Sequence, residues 1–124
     1  MDHVRIFVVD DSIAARTMLI RMLETVEDFE VVGQEGTGQA SIIMLDEVNP
    51  DVVMLEASVS GGMKITDVVK EIKKIKPEVK IILCADSSSA ANVIPAAESG
   101  ADDFINKPYR KELIVRSIRE CINR

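Results

Sequence analysis

The chain has 124 residues, of which 47% are hydrophobic and 29% are charged, and this length and balance suit one domain spanning residues 1–124. The formal net charge of −6 disfavours direct binding to nucleic acid or to an anionic membrane surface. No apolar run approaches the ~20 residues of a membrane span, and neither a signal peptide nor a disulfide framework is indicated, so we expect a cytoplasmic protein.

The first half of the chain predicts two strands, each followed by a helix. An apolar run over residues 5–9 indicates the first strand, and Ser12 is placed to cap a helix that continues to about residue 26. Residues 30–34 form the second predicted strand, and the helix over residues 39–48 ends before Pro50. The chain therefore opens with a βαβα pattern.

The second half predicts three further pairs of a strand and a helix. The third strand, over residues 51–55, is apolar at consecutive positions, which marks burial on both faces. The remaining predicted strands cover residues 79–84 and 103–106, and the helices cover residues 65–76, 87–98 and 110–122. The fourth helix is expected to take a cap from its three opening serines and to tolerate Pro95 only in its first turn or as a kink. This alternation predicts an α/β fold, a doubly wound (βα)5 domain with a five-stranded parallel sheet.

Charged residues follow three of the predicted strands. Asp10 and Asp11 come after the first strand, Glu56 after the third and Lys107 after the fifth. The carboxyl ends of parallel strands meet at one edge of a sheet, so we expect these side chains to lie close together. Like charges repel unless a cation lies among them, and both the Lys107 ammonium and Mg²⁺ are suitable cations. The cluster therefore predicts a hard-metal site, with helix capping as the alternative role of Asp10 and Asp11.

The stretches FVVDDS, VVML followed by an acid, and SGADDFINKPY resemble the CheY-type receiver domain of response regulators, over essentially the whole chain. The resemblance implies a flavodoxin-like fold in which the acid after the third strand takes a phosphoryl group from a histidine kinase, with Mg²⁺ bound. It places Glu56 at the acceptor position and Lys107 as the charge partner of the phosphoryl group. The metal ligands that it implies are Asp10, Asp11, the acceptor and the Ser58 carbonyl. It also implies a cis peptide bond between Lys107 and the proline after it.

Several positions depart from the family pattern. The acceptor Asp is replaced by Glu56, Ala85 stands where the family has Ser or Thr, and Asp86 stands where a small residue usually follows. The loop after the acceptor has Ser60 and Lys64 where the family has proline and glycine. Because Glu carries its carboxylate ~1.5 Å farther out than Asp, we expect phosphoryl transfer and octahedral Mg²⁺ binding to be weak or lost.

The departures lead to three expectations about the pocket. The longer carboxylate of Glu56 should reach the Lys107 ammonium and act as a partial stand-in for a phosphorylated Asp. Phe104 occupies the family's switch-aromatic position, and beside the small Ala85 its ring is expected to rest inward, with plain core packing as the alternative. Asp86, at the pocket rim, would tighten cation binding, draw Lys107 away from Glu56, or lie in a solvated loop.

These features favour a non-enzymatic receiver that works without phosphorylation, through protein partners that are either a histidine kinase or a downstream signalling protein. The expected docking face combines the fourth helix, the fifth strand and the fifth helix. The alternative is a receiver that is still phosphorylated, with Mg²⁺, on Glu56, Asp10, Asp11 or Asp86. A phosphatase or flavin carrier on the same fold is disfavoured, because the first strand has no D-x-D spacing and the chain has three Phe, one Tyr and no Trp.

Overall fold

The computed structural model of the protein describes residues 3–58 and 62–124, so the departure at Ser60 lies outside the described residues. Within those residues, five strands alternate with five α-helices. The strands are β1 Val4–Val9, β2 Phe29–Glu35, β3 Val52–Glu56, β4 Lys80–Ala85 and β5 Asp103–Asn106. The helices are α1 Ile13–Glu24, α2 Gly38–Val48, α3 Ile65–Ile75, α4 Val93–Glu98 and α5 Lys111–Ile122, and a 3-10 turn, Ala90–Asn92, precedes α4. None of the helices in this described part is long and apolar enough to cross a membrane.

All five strands lie in one parallel sheet, in the order β2-β1-β3-β4-β5. The chain passes from β1 outward to β2, then crosses back to β3 and continues in the opposite direction. The strand order therefore reverses between β1 and β3, which opens a cleft beyond the carboxyl ends of these two strands. This is the doubly wound, flavodoxin-like arrangement that the alternation of elements predicts.

Two apolar layers cover the sheet, one on each face. Helices α2, α3 and α4 pack over one face, and α1 and α5 pack over the other. Successive side chains of a strand point to opposite faces, so Ile82 and Leu83 on β4, both 0% exposed, enter different layers. The close approach of α2 to α3 requires Gly38, because a Cβ at that position would lie 2.5 Å from Val68 Cγ2.

The start of α4 differs from the prediction. The expectation that the serines at 87–89 cap this helix is wrong, because two of them bind the Asp86 carboxylate and α4 begins only at Val93. Pro95 consequently falls in the first turn of α4, where the helix does not need the N–H group that proline lacks.

Candidate functional site

Three charged side chains meet at the carboxyl edge of the sheet. Asp10 directly follows β1, Glu56 ends β3 and Lys107 directly follows β5. The Lys107 Nζ atom lies 2.8 Å from Glu56 Oε1 and 3.2 Å from Asp10 Oδ2. Each acid side chain is 4% exposed and the lysine side chain is 19% exposed. The expected contact between Glu56 and Lys107 is therefore present, and the ammonium bridges two buried carboxylates.

The other two carboxylate oxygens accept hydrogen bonds from main-chain amides. Glu56 Oε2 accepts from the Ala57 N–H at 3.0 Å, and Asp10 Oδ1 accepts from the Ser12 N–H at 2.9 Å. Ser12 in turn caps α1 as predicted, with its hydroxyl accepting from the Ala15 N–H at 3.1 Å. Each oxygen of the two buried acids thus has a donor from the protein itself.

Burial and charge act against each other on the groups of this cluster. Burial raises the pKa of Glu56 and outweighs the opposing effect of Lys107, and the Asp10 carboxylate raises that pKa further. Burial lowers the pKa of Lys107, but the two carboxylates raise it by more, and the net pKa lies above the ordinary 10.5. Lys107 faces two carboxylates whereas Glu56 faces one ammonium, so the charges outweigh burial in the pKa of the lysine but not in that of the glutamate. The lysine is therefore held in its charged form.

The arrangement of these side chains fits Mg²⁺ poorly. No three acids, histidines or cysteines of residues 3–58 and 62–124 converge closely enough to hold a metal ion. Asp11 and Ser58 are exposed, and the oxygens of Asp10 and Glu56 are already bound to Lys107 and to the main chain. Mg²⁺ requires several oxygen ligands in near-octahedral geometry. The three predicted acid ligands are not brought together as one cluster, and the weak or lost Mg²⁺ site stays a prediction.

Two neighbouring residues at the end of β4, Ala85 and Asp86, differ in their exposure and in their contacts near the cleft. Ala85 is buried, and its carbonyl accepts from the Lys107 N–H at 2.8 Å, while its methyl group has no hydrogen-bonding capacity. Asp86 is exposed, and its carboxylate accepts from the N–H groups of Ser88 at 2.8 Å and Ser89 at 3.2 Å. Of the three roles open to Asp86, the structure favours that of a loop acid. The peptide bond between Lys107 and the following proline is cis, as the resemblance implies.

Phe104 is 49% exposed, so the expectation that its ring rests inward and the alternative of plain core packing are both wrong. Its side chain points to the opposite face of β5 from the buried Ile105. The neighbouring helix on that face, α4, has six residues and buries only Ala96. A ring on an edge strand beside so short a helix has little to pack against, so the small size of Ala85 does not draw it inward.

Two side chains near the cleft make contacts that the sequence did not single out. Asn92 Nδ2 donates to the Ala57 carbonyl at 3.0 Å and so joins the turn before α4 to the end of β3. Lys107 Nζ lies 5.8 Å from the centroid of the Tyr109 ring. Asn92 lies inside the helix predicted over residues 87–98, and nothing in that position indicates a tertiary contact.

Comparison with known proteins agrees with this geometry. Residues 6–119 match the family described as response regulator receiver domain. The chemotaxis protein CheY of Thermotoga maritima is 34% identical over 116 residues, which cover 94% of this chain and 95% of that protein. CheY of Bacillus subtilis is 33% identical, with coverage of 96% and 98%. The response regulator domain of Thermotoga maritima CheB has a TM-score of 0.85 at 26% identity, with 98% of both chains covered.

Proposed function

Because the chain belongs to the response regulator receiver domain family, we propose that it serves two-component signalling as a receiver that acts without phosphorylation. The match to the family and the similar fold of its relatives support the receiver role. One observation carries the second part of the proposal. The carboxylate of Glu56, at the acceptor position, is bound through one oxygen to the Lys107 ammonium and through the other to the Ala57 N–H.

This closed pair opposes the chemistry of phosphoryl transfer. Transfer needs an attacking oxygen that is free to approach the donor, and cations that neutralise the transferred group. Here the Lys107 ammonium already lies 2.8 Å from Glu56, so the pair would have to separate first. Ala85 adds a second obstacle, because it has no hydroxyl with which to contact a phosphoryl group. Glu56 therefore serves as a fixed negative charge beside Lys107, with less charge than a phosphoryl group carries.

The neighbouring acids are poorer candidates for the acceptor. Asp10 is buried and shares the Lys107 ammonium with Glu56. Asp11 and Asp86 are exposed, and Asp86 uses its carboxylate to hold its own loop. A phosphoryl group on either exposed acid would lie in water, without preorganised groups to stabilise the transferred charge.

Intact-mass measurement after incubation with acetyl phosphate and Mg²⁺ tests this proposal. We expect the wild-type protein to gain no phosphoryl group. Glu56→Asp should be phosphorylated, because the shorter carboxylate separates from the ammonium. The phosphorylation should be only partial, because Ala85 still provides no hydroxyl to contact a phosphoryl group. Glu56→Gln is the matched control, since it keeps the length and cannot form an acyl phosphate. Stoichiometric phosphorylation of the wild-type protein, on Glu56, Asp10, Asp11 or Asp86, would falsify the proposal.

We further propose that protein partners bind the face formed by α4, β5 and α5. Three large apolar residues are exposed there, Ile94 at 71%, Phe104 at 49% and Leu113 at 42%. Arg110 and Arg116 line the groove between β5 and α5, in a chain whose net charge is −6. Apolar groups flanked by arginines suit a protein that presents an apolar anchor among acidic residues, and we place a histidine kinase or a downstream signalling protein in that role.

Titration calorimetry with the histidine kinases and signalling proteins of the same organism tests the docking face. Phe104→Ser and Arg116→Glu should each weaken binding about tenfold or more, because aromatic and arginine residues carry most of the energy of such interfaces. Ile43→Ser, at a position on α2 that is 79% exposed, should leave the affinity unchanged. Equal binding by all three variants would exclude this face.

A further inference from the structure

We infer that Asn92 couples the Glu56 pocket to α4 through the carbonyl of Ala57. The inference rests on the proposed function and deepens it, because it assigns a route that joins the pocket to the docking face in a receiver without phosphorylation. Coupling of this kind is reciprocal, so a change of charge in the pocket alters α4, and a partner on α4 alters the pocket.

The route includes a hydrogen bond that crosses between two loops. Asn92 Nδ2 donates to the Ala57 carbonyl at 3.0 Å, across 35 positions of sequence. Asn92 immediately precedes α4, where an asparagine side chain commonly caps the helix, but here it makes no capping hydrogen bond. Its amide therefore binds the end of β3 instead of its own helix.

Ala57 connects that amide to Glu56. The Ala57 N–H donates to Glu56 Oε2 at 3.0 Å and to the Cys84 carbonyl at 2.8 Å, and the residue is 1% exposed. Glu56 Oε1 in turn contacts Lys107. A charged acceptor binds an N–H group about twice as strongly as a neutral acceptor does. Loss of the Glu56 charge would thus weaken one of the two hydrogen bonds of the Ala57 N–H, and through the Ala57 carbonyl the change would reach Asn92.

The loop between β4 and Asn92 is held by hydrogen bonds between its own residues. The Asp86 carboxylate accepts from the Ser89 N–H at 3.2 Å, and the Ser89 hydroxyl accepts from the Asp86 N–H at 3.1 Å. Among the hydrogen bonds of the described residues, the Asn92 side chain is the link from this segment to the loop after β3. Helix α4 has six residues, too few for stability on its own, so an anchor at its start should affect the whole helix.

Amide chemical shifts of ¹⁵N-labelled protein test the coupling without any phosphodonor. Glu56→Gln removes the charge and keeps the side-chain length, and we expect it to shift the amide signals of Val93, Ile94 and residues 96–98, since Pro95 has no N–H group. In an Asn92→Ala background the same substitution should shift these amides by about half as much or less, because the link to Ala57 is lost. Asn123→Ala, at the far end of α5, is the matched control, and in this background Glu56→Gln should shift the amides of α4 as much as it does in the wild-type protein.

Asn92→Asp separates coupling from helix stability. Aspartate caps a helix as well as asparagine does, but its carboxylate cannot donate to the Ala57 carbonyl. We expect the response of α4 to fall in this background as it does with alanine. A full response in Asn92→Asp, or no response of α4 to Glu56→Gln in the wild-type background, would overturn the inference. Phosphorylation in the mass experiment would instead overturn the proposed function and leave the measured coupling standing.

Discussion

At the scale of single residues, the charge balance of the pocket decides what this receiver can do. Two carboxylates, each 4% exposed, share one ammonium. Taking an ion out of water costs several kcal/mol, and the contacts of Lys107 with Glu56 and Asp10 offset part of that cost. The extra methylene of glutamate matters because it allows Oε1 to lie 2.8 Å from the lysine. The pocket is therefore held in a paired, charged state by side chains of the protein itself.

Glu56→Gln should change the dependence of stability on pH. Burial raises the pKa of Glu56 above the ordinary 4.5, so the native protein takes up a proton at higher pH than the unfolded chain does. As the pH falls through that window, the free energy of unfolding of the wild-type protein should rise relative to that of the variant. Urea denaturation of both proteins between about pH 7 and about pH 4.5 measures this difference. A constant difference over the range would contradict the raised pKa.

Lys107→Met should destabilise the protein near neutral pH. The variant keeps much of the aliphatic volume but leaves Asp10 and Glu56 buried without a cation, at a cost of about 3 kcal/mol or more in the free energy of unfolding. Lys111→Met, at an exposed position in the first turn of α5, is the control and should cost less than about 0.5 kcal/mol. Adding Glu56→Gln to Lys107→Met should restore part of the loss, and the absence of any recovery would contradict the charge argument.

At the scale of elements, the packing of α2 on α3 depends on the absence of a side chain. Gly38 is the buried first residue of α2, and a Cβ there would lie 2.5 Å from Val68 Cγ2 on α3. A valine in a helix has one strongly preferred rotamer, so its methyl group cannot easily move aside. The spacing of the two helices is therefore set at this contact.

Gly38→Ala should lower the free energy of unfolding by about 1–3 kcal/mol, even though alanine favours a helix over glycine by about 1 kcal/mol. Gly36→Ala is the matched control, because the nearest atom there is the terminal Arg16 Nη1 at 3.5 Å. Urea denaturation of the two variants gives the comparison. Equal stability of the two would mean that α2 can shift away from Val68 at little cost.

At the scale of the whole molecule, one sheet supports two apolar layers. Ile82 packs in the layer with α1 and α5, and Leu83 packs in the layer with α2, α3 and α4. Because adjacent residues of β4 enter both layers, a loss of packing in either layer disturbs a strand that both share. The molecule is therefore expected to unfold as one unit.

Ile82→Ala and Leu83→Ala should each lower the free energy of unfolding by about 2–5 kcal/mol, since both positions are 0% exposed. Each should also reduce hydrogen-exchange protection in α1 and α3 alike, although these helices lie on opposite faces. Ile43→Ala, at a position that is 79% exposed, should change neither quantity noticeably. Loss of protection on one face alone would indicate two layers that unfold separately.

Local patterns predicted much of the architecture. The positions of the five strands along the chain follow from apolar periodicity, which depends only on neighbouring residues. The rule for strand ends also placed Asp10, Glu56 and Lys107 at one edge of the sheet. The same rule grouped Asp11 with them, and the family pattern put Asp86 at the pocket rim, yet both side chains are exposed. Position in the sequence sets the edge that a residue reaches, whereas the direction of its side chain depends on the loop around it.

Residue types at given spacings were enough to predict the fold class, the family and the acid that faces Lys107. The exposure of Phe104 and the hydrogen bond from Asn92 to Ala57 could not be predicted in this way and follow from the packing of distant segments. The physical reason is competition between partners. A polar side chain has both local and distant hydrogen-bond partners open to it, and the choice between them is made only when distant segments pack together.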